Sequence, residues 1–137
     1  MNIEKTILEN EINVIYIEAE SFPDGVLDSF QKLHSTVPNV EKRSHYGVSF
    51  PDKNGNIIYK ACTTELYENE GKELGLQSFS IKKGEYISCI LDNYMSNPNI
   101  IGDAFHKLLK NPDIANDGYC LEIYLSREKV KCLVPLK

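Results

Sequence analysis

Gly118-Tyr119-Cys120-Leu121-Glu122-Ile123-Tyr124-Leu125 decides how the chain is read. Its β-branched and aromatic residues lie between Asn116-Asp117 and Ser126-Arg127-Glu128, the composition of a strand bounded by turns. Side chains alternate along a strand, so Leu121, Ile123 and Leu125 share one face and Cys120, Glu122 and Tyr124 the other. The all-apolar face is expected to pack on helices, which points Glu122 and Tyr124 away from them. A carboxylate in mid-strand is an odd choice, because buried unpaired charge is costly. Either the strand is wet on that side, or Glu122 is a half-buried acid awaiting a cationic or hydrogen-bonding guest. The rest of the chain has to decide.

Working outward, strands are expected at 12–18, 45–50, 57–64, 77–81, 85–90 and 129–134. Asn54-Gly55 and Lys82-Lys83-Gly84 are turn signals between them. One helix is expected from Pro23, capped near Ser21 or Phe22, with Val26, Leu27, Phe30, Leu33 and Val37 as its stripe. A second is expected from Asn97-Pro98, with Ile100, Ile101, Ala104, Phe105, Leu108 and Leu109 as its stripe. Glu68, Glu70 and Glu73 with Asn69 and Gly71 read as a solvated acidic loop.

The two helices repeat at a fixed offset of 75 (98 − 23), which overlays Pro23 on Pro98, Asp28 on Asp103, Phe30 on Phe105, Lys32 on Lys107 and Leu33 on Leu108. Each follows a strand and precedes a strand pair. The expected fold is therefore α+β in one domain, a strand–helix–strand–strand unit duplicated over roughly 12–66 and 76–136. It places two helices on one face of an antiparallel sheet, with pseudo-twofold symmetry and a groove between the halves, where small-molecule pockets tend to form.

Composition narrows the function. A net charge of −5 argues against a nucleic-acid or anionic-membrane footprint and mildly favours cationic partners. Residues 1–11 are charged and lack an apolar core, so no secretory leader is expected, and no apolar run is long enough to span a bilayer. Cys62, Cys89, Cys120 and Cys132 fall in strands without Cys-x-x-Cys spacing, which predicts buried free thiols in a reducing cytoplasm. His34, His45 and His106 are scattered, so neither a metal nor a cofactor is expected.

The chain resembles the GyrI-like small-molecule-binding domain, which also serves as the effector-binding part of MerR- and AraC-type regulators. The resemblance is carried by the duplicated unit, Ile81-Lys82-Lys83-Gly84-Glu85-Tyr86, Glu122-x-Tyr124 and the closing Val130-x-Cys132-Leu133-Val134-Pro135-Leu136. It implies a central aromatic pocket with Glu122 as its acidic floor, taking a hydrophobic, often cationic, small molecule. Tyr124, Tyr59, Tyr46 and Phe50 are the candidate walls, and Tyr94 and Met95 a rim. Core packing is an equal reading for Tyr46, Phe50, Tyr59 and Tyr86. The chain departs from such pockets in having no Trp, and it carries no helix-turn-helix segment. Relatives imply two alternatives. One is hydrolysis of strained cyclopropane-bearing genotoxins, with Glu122 as base and Tyr124 as acid or orienting group. The other is a gyrase-inhibitor-like protein contact through Glu65, Glu68, Glu70 and Glu73.

Overall fold

The computed structural model describes residues 2–97 and 99–137. Pro98, expected to open the second helix, lies outside the described residues. The fold is α+β, with antiparallel strand pairing throughout each of two compact units. One unit is Glu11–Lys82; the other joins the chain up to Asn10 with Lys83–Lys137.

The Glu11–Lys82 unit contains β2 (Ile12–Glu18), α1 (Val26–Thr36), β3 (His45–Pro51), β4 (Ile57–Thr64), α2 (Glu70–Leu74) and β5 (Gln77–Ile81). Its sheet order is β3-β4-β2-β5. The second unit contains β1 (Glu4–Leu8), β6 (Gly84–Asp92), α3 (Asn99–Leu108), β7 (Cys120–Tyr124) and β8 (Lys129–Pro135). Its order is β1-β6-β8-β7. Strand–helix–strand–strand thus occurs twice. In each unit the last strand of that series sits between the other two, and a fourth strand joins the outer side of the first.

The α1 helix packs on one face of the first sheet and α3 on one face of the second. Leu33 and Val37 of the α1 stripe meet Ile15, with Phe30 and Ile17 beside them. Phe105, Leu108 and Ala104 of α3 meet Ile87, Cys89, Leu91, Val130, Cys132 and Val134. Among the described residues, no helix is long and apolar enough to cross a membrane.

Three expectations need correction. The helix from Pro23 starts later, at Val26, with Gly25 as its cap and no side-chain cap bond. Ser21 lies four residues before that cap, where its carbonyl accepts from the Gly25 amide at 3.1 Å, and a Cβ on Gly25 would lie 2.8 Å from the same oxygen. Leu27 leaves the buried stripe and is 69% exposed, while Ser29 is buried and donates to the Val26 carbonyl at 2.6 Å. β1 was not expected, because Glu4 and Lys5 mask its alternation; charge on the outermost strand of a sheet is a common way to blunt it.

The acidic loop is the third. Part of it is α2, and Glu70 is 1% exposed. Arg43 grips it through Nη1 to Oε1 at 2.8 Å and Nη2 to Oε2 at 2.5 Å, a forked pairing. Arg43 also donates to the carbonyls of Pro38 and Thr64, and Glu70 accepts from the Leu66 amide. Between them the two side chains bond the backbone at Pro38, Thr64 and Leu66. Gly71 lets α2 lie against the sheet: a Cβ there would sit 2.6 Å from Cγ2 of Ile15.

The Arg43 hydrogen bonds hold the Glu70 carboxyl below its ordinary value of 4.5, against an opposing push from burial. A depressed carboxyl stabilises the fold above the unfolded value and loses that contribution as pH falls through the folded one. Glu70→Ala strands the buried guanidinium and should cost about 3–5 kcal/mol in urea unfolding at neutral pH. For Glu70→Gln, the deficit against wild type should be greatest above pH 4.5 and shrink below it. A deficit independent of pH would remove the ion pair from this account.

Candidate functional site

The site is built on β7. Antiparallel register sets Glu122 opposite Cys132 and Tyr124 opposite Val130, and side chains directly opposite share a face. Cys132 and Val130 belong to the cluster under α3, with Cys120 and Tyr124 packed against it. The Glu122 face is therefore the helix face, the reverse of the expectation from the sequence. Leu121 faces the other way, opposite Leu133, and both are fully buried. Both faces are covered, so apolar content did not mark the one that meets α3.

Glu122 is 6% exposed, a carboxylate among apolar neighbours. The Tyr124 hydroxyl, two residues along the same face, donates to its Oε1. The Tyr124 ring lies 5.8 Å from that of Tyr94, tilted by 53°. Tyr94 starts a short 3-10 turn, Tyr94–Ser96, that links β6 to α3. Asn93 enters that turn with φ of 56°, a left-handed geometry that Asn tolerates better than most residues. Next to Tyr94, Met95 is 73% exposed.

The carboxylate is felt around it. The Tyr94 hydroxyl is pushed up, first by burial and then by the Glu122 charge. The Cys120 thiol is pushed up to about 11 by the same two causes in the same order. Burial, then Glu122, also raises Cys132. The surroundings thus hold neutral phenol and thiols beside one acid. All four cysteines are free thiols. Among the described residues, no group of three His, Cys, Asp or Glu is placed to hold a metal.

Glu122, Tyr124 and Tyr94 are therefore together, with Met95 adjoining in sequence. The remaining candidates lie in the other unit and divide between its two faces. Tyr59 is on the α1 side, stacked on Phe22 at 5.8 Å and edge-on to Phe30 at 6.2 Å. Tyr46 and Phe50 pair with Cys62 and Ile58, which puts them on the opposite side. Tyr86 is a core residue: it is buried, and its hydroxyl shares a hydrogen bond with that of Tyr119 at 2.8 Å.

Two features of the Glu11–Lys82 unit were not foreseen. Tyr16, Ile17, Glu18, Gly75, Leu76 and Gln77 line an open cleft of about 340 Å³. His45 stands edge-on to His34, with ring centroids 4.7 Å apart. Burial, then the His34 and Arg43 charges, lowers its basicity. Neither follows a sequence motif: the cleft forms where the end of β2 meets the loop before β5, and the histidine pair where α1 meets the start of β3.

No protein-family model matches the chain, and no curated protein matches it in sequence. Solved structures do match in fold. An integron cassette protein of the Vibrio cholerae mobile metagenome shares 13% identity at a TM-score of 0.70, over 98% of this chain and 95% of that one. SAV2435, solved bound to tetraphenylphosphonium, shares 9% identity at a TM-score of 0.69, over 100% of this chain and 94% of that one. A hydrolase from Listeria innocua shares 12% identity at a TM-score of 0.63, over 98% of this chain and 91% of that one. At such identities the likeness establishes the fold, which is consistent with a GyrI-like one.

Removing the Glu122 charge should make the Cys120 thiol more acidic. In Glu122→Gln, the pH midpoint of Cys120 alkylation, followed by mass spectrometry, is expected to fall below that of wild type. An unmoved midpoint would mean that the carboxylate does not reach the thiol.

Proposed function

We propose that the protein binds a hydrophobic organic cation, with Glu122 as the counter-charge and Tyr124 and Tyr94 as aromatic walls. The observation that carries this is a nearly buried carboxylate held by a tyrosine hydroxyl, with a second ring alongside. In a low-dielectric setting one carboxylate attracts a cation strongly, and ring faces add cation–π attraction. Burial and the Glu122 charge keep the Tyr94 phenol and the Cys120 and Cys132 thiols neutral beside the acid. In this reading the turn carrying Tyr94 and Met95 is the rim. A structure of like fold bound to tetraphenylphosphonium supports the chemical class, a bulky apolar cation.

Hydrolysis is the second reading, and the Tyr124–Glu122 hydrogen bond is what favours it. There Glu122 would take a proton from water, while the Tyr124 hydroxyl orients the base or donates to the leaving group. One fold neighbour is a hydrolase.

Calorimetric titration with tetraphenylphosphonium tests the first reading. Wild type should bind, and Glu122→Gln, nearly isosteric, should bind at least about tenfold more weakly, the equivalent of about 1.4 kcal/mol. Equal affinity in the two proteins would sink the counter-charge role. Under the hydrolytic reading, Glu122→Gln retains substrate binding and loses turnover of a strained cyclopropane substrate.

A further inference from the structure

On the face of the Glu11–Lys82 sheet away from α1, three rings converge on one ammonium group. Lys60 Nζ stands 4.6 Å from the ring centroid of Tyr16, 5.1 Å from that of Phe50 and 4.5 Å from that of Phe79. The lysine is on β4, and the rings come from β2, β3 and β5, so the whole sheet contributes. Register fixes the geometry: Phe50 pairs with Ile58, Phe79 with Val14 and Tyr16 with both Cys62 and Gln77. The Tyr16 hydroxyl also donates to Gln77 Oε1 at 2.7 Å, which holds its ring in place.

The choice Lys60 makes is informative. Glu18 lies directly opposite it across the β2–β4 pair, on the same face. An exposed carboxylate there is the obvious partner, yet among the described residues Lys60 forms no ion pair. Its ammonium goes to the rings instead. A primary ammonium is strongly hydrated, and its N–H donors give up water acceptors when it enters such a cage. A quaternary ammonium has no N–H to leave unsatisfied, and aromatic cages are the usual means of recognising it. The cage is anchored by strands, whereas its occupant sits on a flexible four-carbon stem with an alternative partner opposite.

We propose that Tyr16, Phe50 and Phe79 form a binding site for a small quaternary ammonium ion, with Lys60 as a resident competitor that turns to Glu18 when the ion enters. The site is separate in residues and in unit from the one around Glu122. Its ligand is a compact tetraalkylammonium group, unlike the bulky aromatic cation proposed there. Occupation by Lys60 lowers the apparent affinity in proportion to the fraction of molecules whose cage is empty.

Titration with tetramethylammonium chloride, followed by NMR, tests this on the wild-type protein. The Lys60 side-chain signals, shifted by the three rings, should move saturably towards the values of a solvated lysine. Lys60→Ala should bind tetramethylammonium at least about tenfold more tightly, since the competitor is gone. Adding Phe79→Leu to that variant should abolish saturation, while Glu122→Gln should leave the response of Lys60 unchanged. Signals of Lys60 that stay put throughout the titration would overturn the proposal. So would a folded Lys60→Ala variant with no gain in affinity, or a response that disappears in Glu122→Gln. Failure of tetraphenylphosphonium to bind would bear on the Glu122 site alone.

Discussion

Side chains directly opposite on antiparallel strands share a face, and the geometry of both candidate sites depends on that constraint. It puts Glu122 over Cys132 and Tyr124 over Val130, on the surface that α3 covers. It also sets Lys60 against Glu18 while surrounding its ammonium with rings from three neighbouring strands. A one-residue slip in either register would exchange the two faces and disperse both groups.

The molecule handles its buried charges in different ways. Arg43 and Glu70 neutralise each other in a forked pair and spend their remaining bonds on loop backbone. That arrangement is structural: each desolvated atom is matched to a partner, and the chain is pinned before β3 and at the exit of β4. Glu122 instead receives a tyrosine hydroxyl, a neutral donor, and its charge is felt by Tyr94, Cys120 and Cys132. Lys60 shows the converse, a cation accommodated by ring faces.

Much of the fold was legible in the sequence because its signals are local. Strand composition marked 12–18 and 129–134, and the 3.6-residue stripe of Ile101, Ala104, Phe105 and Leu108 marked α3. The misses were non-local. Glu4–Leu8 is a strand because β6 offers it an edge, not because its own pattern requires one. Glu70 looked solvated because its guanidinium partner is 27 residues away in sequence. The pairing of Glu122 with Tyr124 was readable from their spacing, whereas the face that would receive the helix was not, since Leu121 on the other side is equally buried. The cage around Lys60 escaped because no two of its rings are close in sequence.

The way β1 and β5 are placed bears on how the chain comes off the ribosome. The Glu11–Lys82 unit is one unbroken stretch, so it can close as soon as β5 has emerged. The other unit is discontinuous: β1 is made first, yet its partner is β6, and Thr6 meets Ser88 across 82 residues. Closing so long a loop carries an entropic cost, and non-local strand pairing is slow. During synthesis β1 therefore waits as an unpaired strand while the first unit folds behind it. Its two leading charges, Glu4 and Lys5, then have a second value: they keep a waiting strand from pairing with that of a neighbouring nascent chain.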